Sequence, residues 1–172
     1  MEIKEILAAK DIKAKQKTDL ISSALLSQTL SVDDLIQFAQ TAKDPQKATC
    51  IEAIEYATKQ TPTIINANGF SFAIENLAHK APRVKWESAK VIGNTAHLFH
   101  NKLDTAIKNL LDNTTHTGTV VRWSAAFALG EILKLRLPLN NDLIAAVDAI
   151  IEKEEKNSIR KIYLDALKKL KK

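Results

Sequence analysis

Few residues in this chain are spaced for chemistry. His97 and His100, followed by Asp104, carry donors that could hold a divalent metal if all three shared one side of a helix. They straddle an expected helix end and loop, so that shared side is not formed, and neither a metal nor a cofactor is expected. His79 and His116 stand alone near loop ends. The acidic run EKEEKN, 152 to 157, could pair carboxylates for acid/base work, but a charged run between two helical patterns reads as a solvated turn. Cys50 is the single cysteine; with no second thiol and no Cys or His in ligand spacing, it is expected to be a small buried hydrophobe. Glycine-rich phosphate loops, a nucleophile elbow and His-Glu-x-x-His are all absent, so no catalytic residue is assigned.

What remains is a set of aromatic and basic side chains held in a repeated frame. VKWESAKVIGN at 84 to 94 returns as VRWSAAFALGE at 121 to 131, 37 positions later. IRKIYLDALKK at 159 to 169 is a third copy, and KATCIEAIE at 47 to 55 a weaker fourth. Successive offsets are 38, 37 and 38 residues, and Pro62 and Pro138 keep the same time, 76 positions apart. Such a period accommodates two helices of about four turns each plus two short loops. In a helix from about 82 to 98, Val84, Ser88, Val91, Ile92, Thr95 and Phe99 fall on one broad face, and positions 121, 125, 128, 129 and 132 repeat it. The preceding helix of each pair is expected over about 68 to 79, 102 to 112 and 140 to 152. Pro45 and Pro82 stand where a first helical turn tolerates proline. Helix-like stretches at about 3 to 9 and 16 to 27 lie outside the repeat and read as a cap.

The run Val, Arg, two residues, two small residues, one residue, Ala, Leu, Gly is similar to the HEAT repeat, including the short HEAT-like repeats of bacterial proteins such as the phycobilisome lyase group. The resemblance covers about 44 to 172 and is strongest at Val121, Arg122, Ala125, Ala126, Ala128, Leu129 and Gly130. It implies an all-α fold: a right-handed, armadillo-type α-solenoid of about four HEAT-like helical hairpins with an N-terminal helical cap. All of it would form one domain over 1–172, with the cap at 1–30 and repeats at about 31–60, 62–99, 100–136 and 137–172. Glu55 stands where glycine is expected, and Tyr163 and Lys168 replace a small residue and glycine in the last copy.

Lys85 and Arg122 project toward the apolar side of their helices, where an unpaired charge is expensive. They should find carboxylates or helix-end carbonyls; in HEAT-like stacks this position, which Arg160 shares, forms a structural ladder between repeats. The resemblance also places the second helices on the concave side. Residues left outside the core there are Trp86, Lys90, Asn94 and His97, then Trp123, Phe127, Glu131 and Lys134, with Tyr56 and Lys59 flanking on one side and Lys161 and Asp165 on the other. Stacked columns would set Trp86 beside Trp123, Lys90 beside Phe127 and His97 beside Lys134.

That strip mixes aromatic and cationic groups, which can grip an acidic helix or stack on bases and touch phosphates. Of the net charge of +5, residues 156 to 172 carry +6 and the other 155 residues −1. The basic character is thus a property of the last helix, where cations also suit the helix dipole. The leading expectation is a non-catalytic scaffold or adaptor for an unidentified protein partner. The alternative is a nucleic-acid-binding protein similar at the level of repeat type to the alkylpurine DNA glycosylases, with Glu131 or Asp165 as its carboxylate. No apolar run approaches the ~20 residues that cross a bilayer, and the charged start MEIKEILAAKDIKAKQ lacks a signal peptide's apolar core, so a cytoplasmic protein without membrane partners is expected. An exposed end on the last repeat, with Ile159, Ile162 and Leu170 nearby, would let a second copy stack there.

Overall fold

The computed structural model describes residues 2–172, and among them there are ten α-helices and no strand. In chain order these are α1 Ile3–Ala8, α2 Ala14–Leu26, α3 Val32–Thr41, α4 Asp44–Gln60, α5 Ala67–Asn76, α6 Pro82–Thr95, α7 Leu103–Asn113, α8 Thr119–Leu133, α9 Asn140–Lys153 and α10 Asn157–Leu170. None is long and apolar enough to cross a membrane among the described residues.

Local chemistry sets the helix ends. Ser31 caps α3 by accepting the Asp34 N–H at 3.0 Å, and Asn66 caps α5 by accepting that of Gly69 at 2.9 Å. Proline occupies the first turn of α4 and of α6, where its missing N–H costs nothing. With so few glycines, two reversals fall on other residues: Gln28 after α2 and Arg136 after α8 take φ of 60° and 56°.

The even-numbered helices form one layer, each packed along its neighbour in the order α2, α4, α6, α8, α10. The odd-numbered helices form the other and touch one another sparsely. A stack packed closely on one side and splayed on the other bends toward the close side, so α2, α4, α6, α8 and α10 line its inner face. Splaying leaves a cleft of about 930 Å³ on the outer face across α3, α5 and α7. The first thirty residues, expected as a cap, themselves form a helix pair, and α2 extends the inner layer by packing on α4.

One apolar core runs the length of the molecule between the layers. The five motif positions of α6 from Val84 to Thr95 are all buried, and so are Val121, Ala125, Ala128, Leu129 and Ile132 of α8. Phe99 lies beyond the end of α6, where its ring stacks on Phe70 of α5 with centroids 4.6 Å apart. Cys50 is fully buried, and burial pushes its thiol up to about 12. At the last helix the expected apolar end is not formed. Ile159 is buried, while Ile162 and Leu170 pack half-buried against the core. What α10 leaves exposed is mainly Lys161, Asp165, Lys168 and Lys169, with Leu164.

Candidate partner-binding face

Lys85 and Arg122 come first, because each is hydrogen-bonded beyond its own helix. Lys85 Nζ donates to the Leu77 carbonyl and to Asn113 Oδ1, both at 3.1 Å, while Asn113 Nδ2 donates to the same carbonyl at 3.0 Å. One repeat on, Arg122 Nε and Nη2 donate to Glu154 Oε2 and Oε1 at 3.0 and 3.4 Å. Its Nη1 donates to the carbonyls of His116 and Thr117 at 3.0 and 3.2 Å. In each case a base near the start of an inner helix reaches the end of the outer helix of its own pair, or the link after it, and also the end of the outer helix of the next pair. Glu154, read from sequence as part of a solvated turn, is instead buried, because it caps α9 directly over Arg122. Arg160 departs from the pattern: its Nε is buried without a hydrogen-bond partner among the described residues.

On the inner face the stacked aromatic pair lies within one helix. Trp123, 40% exposed, stacks on Phe127 one turn later in α8, with centroids 6.1 Å apart and rings 8° from parallel. Phe127 in turn lies over Gly93 of α6, where any Cβ would collide with its ring. The absent side chain at Gly93 is what admits the ring. Trp86 is half-buried and donates its indole N–H to Glu87 Oε1 at 2.9 Å. Asn94, expected at the surface, turns to α4 and donates to the Glu55 carbonyl and Thr58 Oγ1, both at 3.2 Å. His97 is exposed on a 3-10 turn after α6, Glu131 and Lys134 pair at 2.6 Å, and Lys161 is exposed on α10.

Lys90 belongs to a carboxylate cluster between α4 and α6. Its Nζ lies 3.4 Å from Glu87 and 3.7 Å from Glu55, each of which is only 4% exposed. Glu52 beside them takes Arg83 of α6 and the Thr18 hydroxyl of α2, so it joins three inner helices. Burial pushes the Glu87 carboxyl above its ordinary value; Lys90 and the Trp86 N–H pull it back, and Glu52 and Glu55 push it up again. Sequence inspection missed Glu87 and treated Glu55 only as a substitute for glycine. The available signal was acidic residues recurring at 52, 55 and 87 on turns that should have carried apolar or small ones.

A raised folded-state pKa means that ionised Glu87 opposes folding above the ordinary carboxylate range and does not below it. Glu87→Gln should therefore leave the melting temperature at pH 7 unchanged or higher, with the difference vanishing near pH ~4. A loss beyond about 1 kcal/mol at pH 7 in denaturant titrations would show that the charge itself is needed there.

Between α8 and α10 the face opens into a groove of about 380 Å³. Phe127, Gly130 and Ile162 form its apolar floor, and Glu131, Lys134, Asp165, Lys168, Lys169 and Lys172 its rim. A flat aromatic pair next to a groove with a charged rim can seat one apolar side chain and pair its charged neighbours.

No family profile matches this chain, and no curated protein matches it. Solved structures do. A designed armadillo repeat protein in complex with the peptide (KR)4 is 16% identical, with a TM-score of 0.72 over 97% of this chain and 79% of that one. The complex of CpcE and CpcF of phycocyanin lyase from Nostoc sp. PCC7120 matches at 18% identity and a TM-score of 0.71, over 96% of this chain and 97% of the other. An engineered protein gives 16% identity and a TM-score of 0.74 over 99% of this chain, which spans 47% of that protein's length. At such identities the likeness concerns the fold alone, and it agrees with the two-layer stack of helix pairs: the chain has the HEAT-like, armadillo-type helical-repeat fold.

Proposed function

We propose that this protein is a non-catalytic interaction module that receives a segment of another protein along its inner helical face. The observation that carries this reading is the exposed Trp123, held parallel on Phe127, which is itself locked over Gly93. A rigid, half-exposed aromatic at the centre of a face is the kind of group on which binding energy concentrates, since its ordering has already been met in the free protein. Similar folds support the reading in kind: one neighbour was solved with a peptide and another as a complex of two proteins.

The test compares the native protein with Trp123→Ala and with Phe127→Ala as baits in the native extract. Each variant should keep the helical circular dichroism of the native protein. Each should lose at least about 2 kcal/mol of partner affinity, some thirtyfold. Folded variants that hold every partner at native affinity would rule this face out. The lysine rim around Lys134 and Lys168 favours a second reading, a nucleic-acid-binding protein. Binding to duplex DNA that survives physiological salt would support it, and release of modified bases from alkylated DNA would extend it to the glycosylase alternative.

A further inference from the structure

The ionisable groups of the inner face are sorted along the stack. Over α2, α4 and α6 they include Asp19, Glu52, Glu55 and Glu87 against Lys59, Arg83 and Lys90, and the two buried carboxylates Glu55 and Glu87 share one ammonium. Tyr56 reports the field between them: burial pushes its phenol up, Glu52, Glu55 and Asp19 push further, and Lys90 opposes. Over α8 and α10 the balance reverses. Around the groove, Lys134, Lys168, Lys169 and Lys172 outweigh Glu131 and Asp165. Trp123 and Phe127 stand where the sign changes.

Resting on the reading of this face as a protein-binding surface, we propose that the segment it receives is charge-ordered. Its carboxylates lie in the groove between α8 and α10, an apolar or aromatic side chain meets Trp123 and Phe127, and a Lys or Arg sits beside Glu52, the most exposed of the three carboxylates between α4 and α6. Inner helices are spaced about 9 to 10 Å apart, so the distance from α6 to α10 is about 20 Å, which six or seven extended residues span. Complementarity of this kind selects partner and register more than it adds raw affinity. A nucleic-acid strand fits less well, because a phosphate track needs an unbroken basic path. Here Glu131 and Asp165 interrupt the groove, and the α4 and α6 cluster meets the strand with carboxylates.

The experiment uses three fluorescent probes on the intact protein, read by anisotropy at low and at physiological salt. One is a peptide of about nine residues with Asp and Glu in a block at one end, Leu-Phe in the middle and Lys and Arg at the other end. The second has the same composition with its charges alternating; a simple reversal would not serve, since a reversed peptide can bind running the other way. The third is a single-stranded DNA of about 20 nucleotides. The blocked peptide should bind at least about tenfold tighter than the alternating one, and Lys168→Glu with Lys169→Glu should remove that advantage. Equal affinity for the two peptides, no binding of the blocked peptide at about millimolar concentration, or DNA binding as tightly at physiological salt would each overturn the proposal. Failure of the charge order alone leaves Trp123→Ala still disrupting partner capture. If partner capture is also indifferent to Trp123, the face itself is wrong.

Discussion

Arg122→Ala should lower the unfolding free energy by about 3 kcal/mol, which for a chain of this size means a melting temperature about 6 to 12 °C lower. The magnitude follows from what is stranded. The Glu154 side chain is 4% exposed and the Arg122 side chain 17%, so removing the guanidinium leaves a nearly buried carboxylate without its partner. The His116 and Thr117 carbonyls lose their donor as well. Arg122→Lys should recover little, because one ammonium cannot reproduce the fork that engages both carboxylate oxygens and the link. The pair also has a pH signature. Burial alone would raise the Glu154 carboxyl, but the hydrogen bonds from Arg122 and from the Lys156 N–H bring it below its ordinary value. A carboxylate lowered on folding stabilises above its unfolded pKa and loses that contribution as pH falls through the folded one. The native protein should thus lose stability below pH ~4 more steeply than the Arg122→Ala variant, in thermal melts run side by side. Parallel curves would mean that the pair contributes nothing net.

Phe70→Ala should cost about 3 to 5 kcal/mol in denaturant titrations. Phe70 is fully buried in α5 and stacks on Phe99 in the link that follows α6, so its ring joins an outer helix to the turn between two repeats. Truncation removes the transfer free energy of the ring and leaves a cavity in a rigid packing environment, which collapses only partly. Phe70→Leu, which keeps most of the volume, should recover much of the loss and define the share owed to stacking. If both variants melt like the native protein, the outer layer around α5 must rearrange freely, and the core is less continuous than the packing indicates.

How far the sequence reached can be seen at particular positions. Val84, Val91 and Ile92 repeat one period later as Val121, Ala128 and Leu129, and all six are buried. Apolar periodicity is a local property of the chain, so it located the helices and their inward faces before any contact was known. The demand that Lys85 and Arg122 be paired was equally legible, since a base on an apolar stripe must find acceptors. The identity of those acceptors was not. Asn113 and Glu154 lie 28 and 32 residues downstream and are delivered by the turn geometry of the next helix pair.

The sequence by itself determined the helices, their period and the side of each that is buried, because those follow from spacing along one chain. The tertiary structure alone decided the geometry of the candidate site. The way α8 lies on α6 sets Phe127 over Gly93, with Trp123 stacked on it and partly exposed. The approach of α4 to α6 gathers Glu55 and Glu87 around one lysine, and the capping of α9 buries Glu154 that its own charged run would leave in water. Contacts across the stack depend on how repeats rotate against one another, a quantity fixed by side-chain packing between helices and not by the order of residues within any one of them.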